Sequence, residues 1–160
     1  MIITHSYPQD KLVNFIRESN AIEGYFHEPT QTEIDAHNYL LSVPELTVAD
    51  VSNFVQLITR PPAQLRDKFG MDVTVGDHYP MRGGPEVRYY LRERLDEINA
   101  KLISPFNAHC KYETLHPYMD GNGRSGRAIW LWQMQRNNEK MHRHLSFLHT
   151  FYYQSLNGKR

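Results

Sequence analysis

Residues 116–132 read His116-Pro-Tyr-Met-Asp120-Gly-Asn-Gly-Arg-Ser-Gly-Arg127-Ala-Ile-Trp-Leu-Trp132. The second part of this stretch sets bulky apolar residues in an unbroken row, and a helix that is apolar all round is a buried one. The helix starting near Gly123 is therefore expected at the centre of the fold. The polar first part then lies at that helix's N-terminus, where unpaired backbone N–H groups and the macrodipole favour an anion. Gly121 and Gly123 allow the backbone angles of an N–H nest and let phosphate oxygens come close. Arg124 and Arg127, at i and i+3, share one side of the first turn, and their forks suit a polyphosphate. Asp120 is placed to hold a divalent cation between phosphate oxygens, magnesium being the usual one. His116 is the group here whose unperturbed pKa suits a general base near neutral pH. An Asp-Gly-Asn-Gly run alone is only a turn signal. All of these residues together, ahead of a buried helix, read as a nucleotide-phosphate site with its own base.

Outward from this stretch, the 160-residue chain reads as one domain over 1–160, without repeats, low-complexity tracts or a linker. Apolar residues make up 40%, enough for a core. Lys plus Arg equals Asp plus Glu at 18 each, so no overall field draws nucleic acid or an anionic membrane. The single Cys110 forms no internal disulfide, which fits a reducing cytoplasm. No run approaches the roughly 20 apolar residues of a membrane span, and the N-terminus does not resemble a signal peptide. A cytoplasmic protein is expected.

Upstream, residues 9–22 predict a helix with Leu12, Phe15, Ile16, Ser19, Ile22 and Glu23 on one stripe, closed by Gly24. Ser19 and Glu23 are polar groups on a face that should be buried, so the carboxylate needs a partner. Thr30-Gln-Thr-Glu33 is a capping box opening a helix to about Ser42, with Ile34, His37 and Leu41 facing inward. His27 and His37 read as ordinary surface or edge residues. Thr47 caps a third helix with Val48, Val51, Val55 and Ile58 inside, and Arg60-Pro-Pro62 stops it. Residues 71–82 alternate Met71, Val73 and Val75 with Asp72 and Thr74 before Gly76-Asp77, predicting a short β-hairpin leaning on the helical body. Gly84-Pro85 opens a long helix to about Ile103, with Val87, Tyr90, Leu91, Leu95, Ile98 and Leu102 on one face. Ser104 caps a helix through Tyr112 and Leu115, and a last helix over residues 143–156 turns Leu145, Leu148, Tyr152 and Leu156 inward. His109 with Cys110, and His142 with His144, lack further ligands at metal spacing.

At residues 116–127 the chain resembles the signature of the Fic/Doc family, His-x-Phe-x-(Asp/Glu)-Gly-Asn-Gly-Arg-x-x-Arg, with Tyr118 in place of Phe as the one departure. The resemblance implies a mainly α, compact Fic-type bundle with a β-hairpin flap over the active site. It also implies transfer of AMP from ATP to a Ser, Thr or Tyr hydroxyl of a target protein, with magnesium as cofactor. His116 would be the base. The Gly121-Asn122-Gly123 nest and the Asn122 side chain would hold the α-phosphate, Asp120 the metal, Arg124 the leaving pyrophosphate and Arg127 the γ-phosphate. The flap, loosely matched by Val73-Thr-Val-Gly-Asp-His78, would pair with the target backbone and help hold the nucleotide, here through Val75 and Gly76. A basic residue ahead of it, Arg66, is common in the family and receives no role. Aromatic residues near the chain end line the adenine site in related proteins, which makes Tyr152 a candidate. Ser19-Asn-Ala-Ile-Glu-Gly24 is similar to the inhibitory motif (Ser/Thr)-x-x-x-Glu-(Gly/Asn), implying that residues 9–24 form an inhibitory helix delivering Glu23 to Arg127. Dimers are common among such self-regulated relatives, so a homodimer joins ATP and the target among the expected partners. Three alternatives stay open: phosphotransfer as in the Doc branch, which has Lys where this chain has Gly123; removal of AMP at the same site; and a non-catalytic interaction module.

Overall fold

The structure is a computed structural model and describes residues 8–137. Six helices follow one another: α1 (Gln9–Ile22), α2 (Gln31–Ser42), α3 (Val48–Ile58), α4 (Pro85–Asn99), α5 (Pro105–Leu115) and α6 (Asn122–Arg136). The helix expected over residues 143–156, and Tyr152 with it, lies outside the described residues. None of the described helices is long and apolar enough to cross a membrane.

The central helix is α6, which packs against α1, α2, α3 and α5. Buried on nearly every side, it serves two clusters at once. Ala128, Ile129 and Trp132 join the main core built from α2 to α5, while Trp130, Leu131 and Met134 meet Leu12, Phe15 and Ile16 of α1. Phe15 stacks on Trp130 with ring centroids 6.5 Å apart, and the Trp132 indole N–H donates to the Val43 carbonyl at 3.0 Å. Burying side chains of this size contributes about 1.5–3 kcal/mol each, so α1 is fastened by its apolar stripe.

Most helix ends follow from local chemistry. The Thr30 hydroxyl and the Glu33 carboxylate close the capping box reciprocally, and Thr47 and Ser104 cap α3 and α5. Gly24, with φ of 82°, ends α1 in a Schellman turn: its N–H reaches the Ala21 carbonyl and that of Tyr25 reaches Asn20. The inner face of α2 is rotated by a residue from the expected one. Glu33, Ala36, His37 and Leu40 are buried, and Ile34 and Leu41 only half so. His37 is thus no edge residue: it is packed edge-on against Phe15 and Phe54. The fourth helix stops four residues early, at Asn99. Lys101 adopts φ of 57° and closes a Schellman turn, while the Asn99 carboxamide is bonded to both Leu46 backbone groups. Leu102 therefore lies outside the helix, 78% exposed, and Tyr90 is also exposed.

Residues 71–82 depart from the expected hairpin. Their alternation is real, since Met71, Val73 and Val75 are half-buried and Asp72 and Thr74 exposed. No two-stranded ladder forms, however. A single antiparallel bridge joins Val75 and His78 around a tight turn in which Gly76 has φ of 57°. The Met71 and Met81 carbonyls, which would have flanked a longer ladder, both accept from the Arg66 guanidinium. A second bridge, between Leu65 and Tyr118, lays residues 64–66 beside the start of the signature loop.

Candidate active site

The signature loop runs from the C-terminus of α5 to the N-terminus of α6. His116 ends α5 in the left-handed region, with φ of 50° and ψ of 62°. Such a turn, followed by Pro117, terminates the helix. A non-glycine residue is uphill there by about 1–2 kcal/mol, and the surroundings hold it. Its N–H bonds the Tyr112 carbonyl, and its own carbonyl accepts from Arg66 Nε at 2.7 Å.

The nest is held from inside. Gly121 has φ of 79°, and a Cβ there would fall 2.8 Å from the Thr59 methyl carbon, so only glycine satisfies both the angle and the space. Ser125 donates to the Gly121 carbonyl at 2.7 Å and is itself bonded to the buried Tyr112 hydroxyl. Burial raises the Tyr112 pKa well above the ordinary value, which keeps that hydroxyl protonated. With its carbonyl turned inward, the first turn of α6 presents the N–H groups of Asn122, Gly123 and Arg124, which carry no hydrogen bond among the described residues. The Asn122 side chain differs from its expected part. Both of its polar atoms are bonded to the Tyr118 backbone at 2.8 Å, so the carboxamide braces the loop rather than facing a phosphate. Tyr118 itself is fully buried, and its extra hydroxyl meets Ser52 Oγ at 2.7 Å.

The two arginines are held differently. Arg124 donates to the Ile58 carbonyl at 2.8 Å, lies 4.9 Å from the Tyr25 ring centroid, and approaches Asp120 at 4.0 Å. Its Nε has no hydrogen-bond partner among the described residues. Arg127 is fully buried. Its Nε donates to Ser19 Oγ at 2.8 Å, and its Nη2 to the Ser19 carbonyl at 2.9 Å and to Glu23 Oε1 at 2.7 Å. The two polar residues on the α1 stripe thus find one partner. The Glu23 carboxylate also lies against Gly123, so closely that a Cβ at position 123 would overlap Oε1.

Asp120 is 60% exposed at its side chain. Its Oδ1 accepts from the Gly121 N–H at 2.7 Å, and Oδ2 has no donor among the described residues. Those residues contain no cluster of three or more His, Cys, Asp or Glu able to hold a metal alone. One outward carboxylate suits magnesium, which keeps several waters and takes its remaining ligands from phosphates. A hollow of about 270 Å³ opens beside Asp120 and Arg124, with Tyr25, Leu57, Ile58 and Arg60 on its other walls.

The fold therefore brings together His116, Asp120, Gly121, Asn122, Gly123, Arg124, Arg127, Ser19 and Glu23. Val75 and Gly76 lie on the neighbouring tight turn, which is fastened to α5 by His78 Nε2 donating to the Thr114 carbonyl at 2.9 Å. Tyr25 was not anticipated, and Arg66 was singled out ahead of the flap without a role. A lone aromatic and a lone arginine in irregular segments carry no periodic signal that could have shown their roles.

A glycine nest, two guanidiniums, an outward carboxylate and a left-handed histidine thus lie together at the N-terminus of a buried helix in a helical domain. The family model described as Fic/DOC family matches residues 9–134, and the chain belongs to that family. No curated protein matches the chain.

Proposed function

We propose that the protein is an adenylyltransferase that moves AMP from ATP to a Ser, Thr or Tyr hydroxyl of another protein. The observation that carries this reading is the set of N–H groups at residues 122–124, unbonded among the described residues and presented on the same loop as His116 at the end of a buried helix. In the reaction the target's hydroxyl oxygen attacks the α-phosphorus, the bond to the pyrophosphate oxygen breaks, and His116 takes the hydroxyl proton. The nest at Gly121, Asn122 and Gly123 holds the α-phosphate oxygens through backbone N–H groups. Arg124 neutralises the departing pyrophosphate, and Arg127 orients the γ-phosphate. Asp120 would hold magnesium, which would neutralise phosphate charge. Val75 and Gly76 steady the nucleotide from the flap turn, where the target docks.

The same reading makes the protein self-inhibited. Glu23 engages the guanidinium that the γ-phosphate needs, and its charge repels that phosphate. ATP then binds with its tail displaced and its α-phosphorus out of line. Gly123 supports AMP transfer over the Doc-like reaction, because the Doc branch carries a lysine at that position. The closeness of that carboxylate to the nest supports, as a second reading, the reverse reaction, with Glu23 orienting water to release AMP from a modified protein. Labelled ATP separates these outcomes. Label from the α-position on protein, with none from the γ-position, is expected for the Glu23→Gly protein; γ-label on protein means phosphotransfer. Loss of AMP from a premodified protein, in the native chain but not in Glu23→Gly, means the reverse reaction.

A further inference from the structure

Arg66 lies outside the signature and has no exposed surface at all. A guanidinium carries five N–H donors in one plane and no acceptor. In this chain its hydrogen bonds go to main-chain carbonyls: Nε to His116 at 2.7 Å, Nη2 to Leu115 at 3.0 Å, and Nη1 to Met71 at 3.0 Å and Met81 at 2.9 Å. Its main chain adds two more links. The Arg66 N–H donates to the Pro117 carbonyl at 2.9 Å, and the Arg66 carbonyl accepts from Gly84 at 3.0 Å. One residue thereby joins three consecutive residues of the left-handed turn, Leu115, His116 and Pro117, to both ends of the 71–82 segment.

We propose that Arg66 is a positioning residue for the transfer reaction, setting the direction of the His116 imidazole and locking the flap segment to it as one unit. The proposal rests on His116 being the base. A left-handed, non-glycine residue persists only where its surroundings over-determine it, and at His116 the carbonyl that follows the strained φ is the atom Arg66 grips. Letting that carbonyl swing rotates the Cα–Cβ bond and moves the ring away from the attacking hydroxyl. The nest at residues 121–123 has separate supports in Asn122 and Ser125, so nucleotide binding should not follow the imidazole. Lysine cannot replace this arginine. Its ammonium is a single point with three donors, whereas the carbonyls served here come from separate segments.

The test uses the Glu23→Gly protein as the active reference and adds Arg66→Lys. With saturating α-labelled ATP, kcat for automodification should fall on the order of 10²-fold, as for a reacting group misplaced by about 1 Å, while KM for ATP changes little. Ile98→Ala, in the buried face of α4 and away from Arg66, serves as a control for lost stability and should keep kcat when assayed well below its Tm. Unchanged kcat in the lysine variant, or an equal fall in the control, would overturn the proposal. Two activity-independent measurements keep it separable from the identity of the base. In the native chain, the Arg66 Nε–H should exchange slowly with solvent; fast exchange defeats the proposal even if no variant folds. In Arg66→Lys, the His116 ring resonances and the amide exchange of Val75 and His78 should change together. If they stay as in the native chain, Arg66 positions neither element. Should Glu23→Gly/His116→Ala remain active while those resonances do move, the base assignment falls and Arg66 is left as an organiser of the turn alone.

Discussion

The two ends of the signature loop are held by opposite means. The His116 turn and the nest are fixed by the chain's own hydrogen bonds: Arg66 grips carbonyls of the turn, while Asn122 bonded to Tyr118 and Ser125 bonded to the Gly121 carbonyl hold the nest. No anion competes for the carbonyls that Arg66 grips. At the Arg127 end, the guanidinium is held by the acceptors Ser19 and Glu23, brought in by a separate helix. Those acceptors imitate what a phosphate offers, so a phosphate competes with them directly. Parts that must stay still are fixed by hydrogen bonds to main-chain groups. The part suited to switching is fixed by a charge that a ligand can replace.

Breaking the still end should cost most. In the Glu23→Gly background, His116→Ala should lower label transfer by about 10²–10⁴-fold, the contribution of a positioned base, while calorimetry finds nucleotide affinity nearly unchanged. Activity within tenfold of the reference would remove His116 from the chemistry.

Acid should weaken the seat of α1 next. His37 packs between Phe15 and Phe54, and burial pushes its pKa down to about 4 from 6.5, with Arg124 and Arg127 adding to the shift. Between those values the unfolded chain binds more protons than the folded one. The contribution is therefore complete above pH 6.5 and drains away as pH falls towards 4, amounting to about 3 kcal/mol in all. Urea midpoints of the native chain and His37→Gln should converge as pH is lowered through this window. A gap that stays constant would mean His37 does not titrate this way.

Releasing the switching end should raise activity. Glu23→Gly should increase α-label incorporation on the order of 10²-fold, since misplacement of about 1 Å costs that much. Arg127→Ala should not regain activity when combined with it. Equal incorporation by native and Glu23→Gly proteins would defeat self-inhibition and leave the base assignment standing. The smallest effect belongs to Ser19→Ala, which removes one neutral acceptor from Arg127 and leaves the carboxylate; partial release is expected. Full release in the same assay would mean that the serine, not the charge, seats the helix.

The helical elements were legible because each carried its own punctuation. Thr30 with Glu33, Thr47, Ser104 and Gly24 mark boundaries that the fold keeps. Ser19 and Glu23 were legible as anomalies on an apolar stripe, and Arg127 answers both. The flap failed as a ladder because alternation reports which side chains face inward, not where the carbonyls go; Arg66 takes two of them. The bond of Asn122 to Tyr118 was not legible for a similar reason. A carboxamide in a glycine-rich loop suits either a phosphate or the loop's own backbone, and residue identity does not choose between them. The early stop of α4 depends on Lys101 accepting a left-handed angle, which no residue preference announces.

The contact between Glu23 and Gly123 also constrains how this chain can change over generations. With the carboxylate in place, any side chain at position 123 collides with it, so the two positions are not free to vary independently. A larger residue at 123 either follows the loss of Glu23 or pushes its carboxylate off Arg127. Under the proposed self-inhibition both orders release the same contact, so a restrained chain can exchange this glycine only by giving up its restraint.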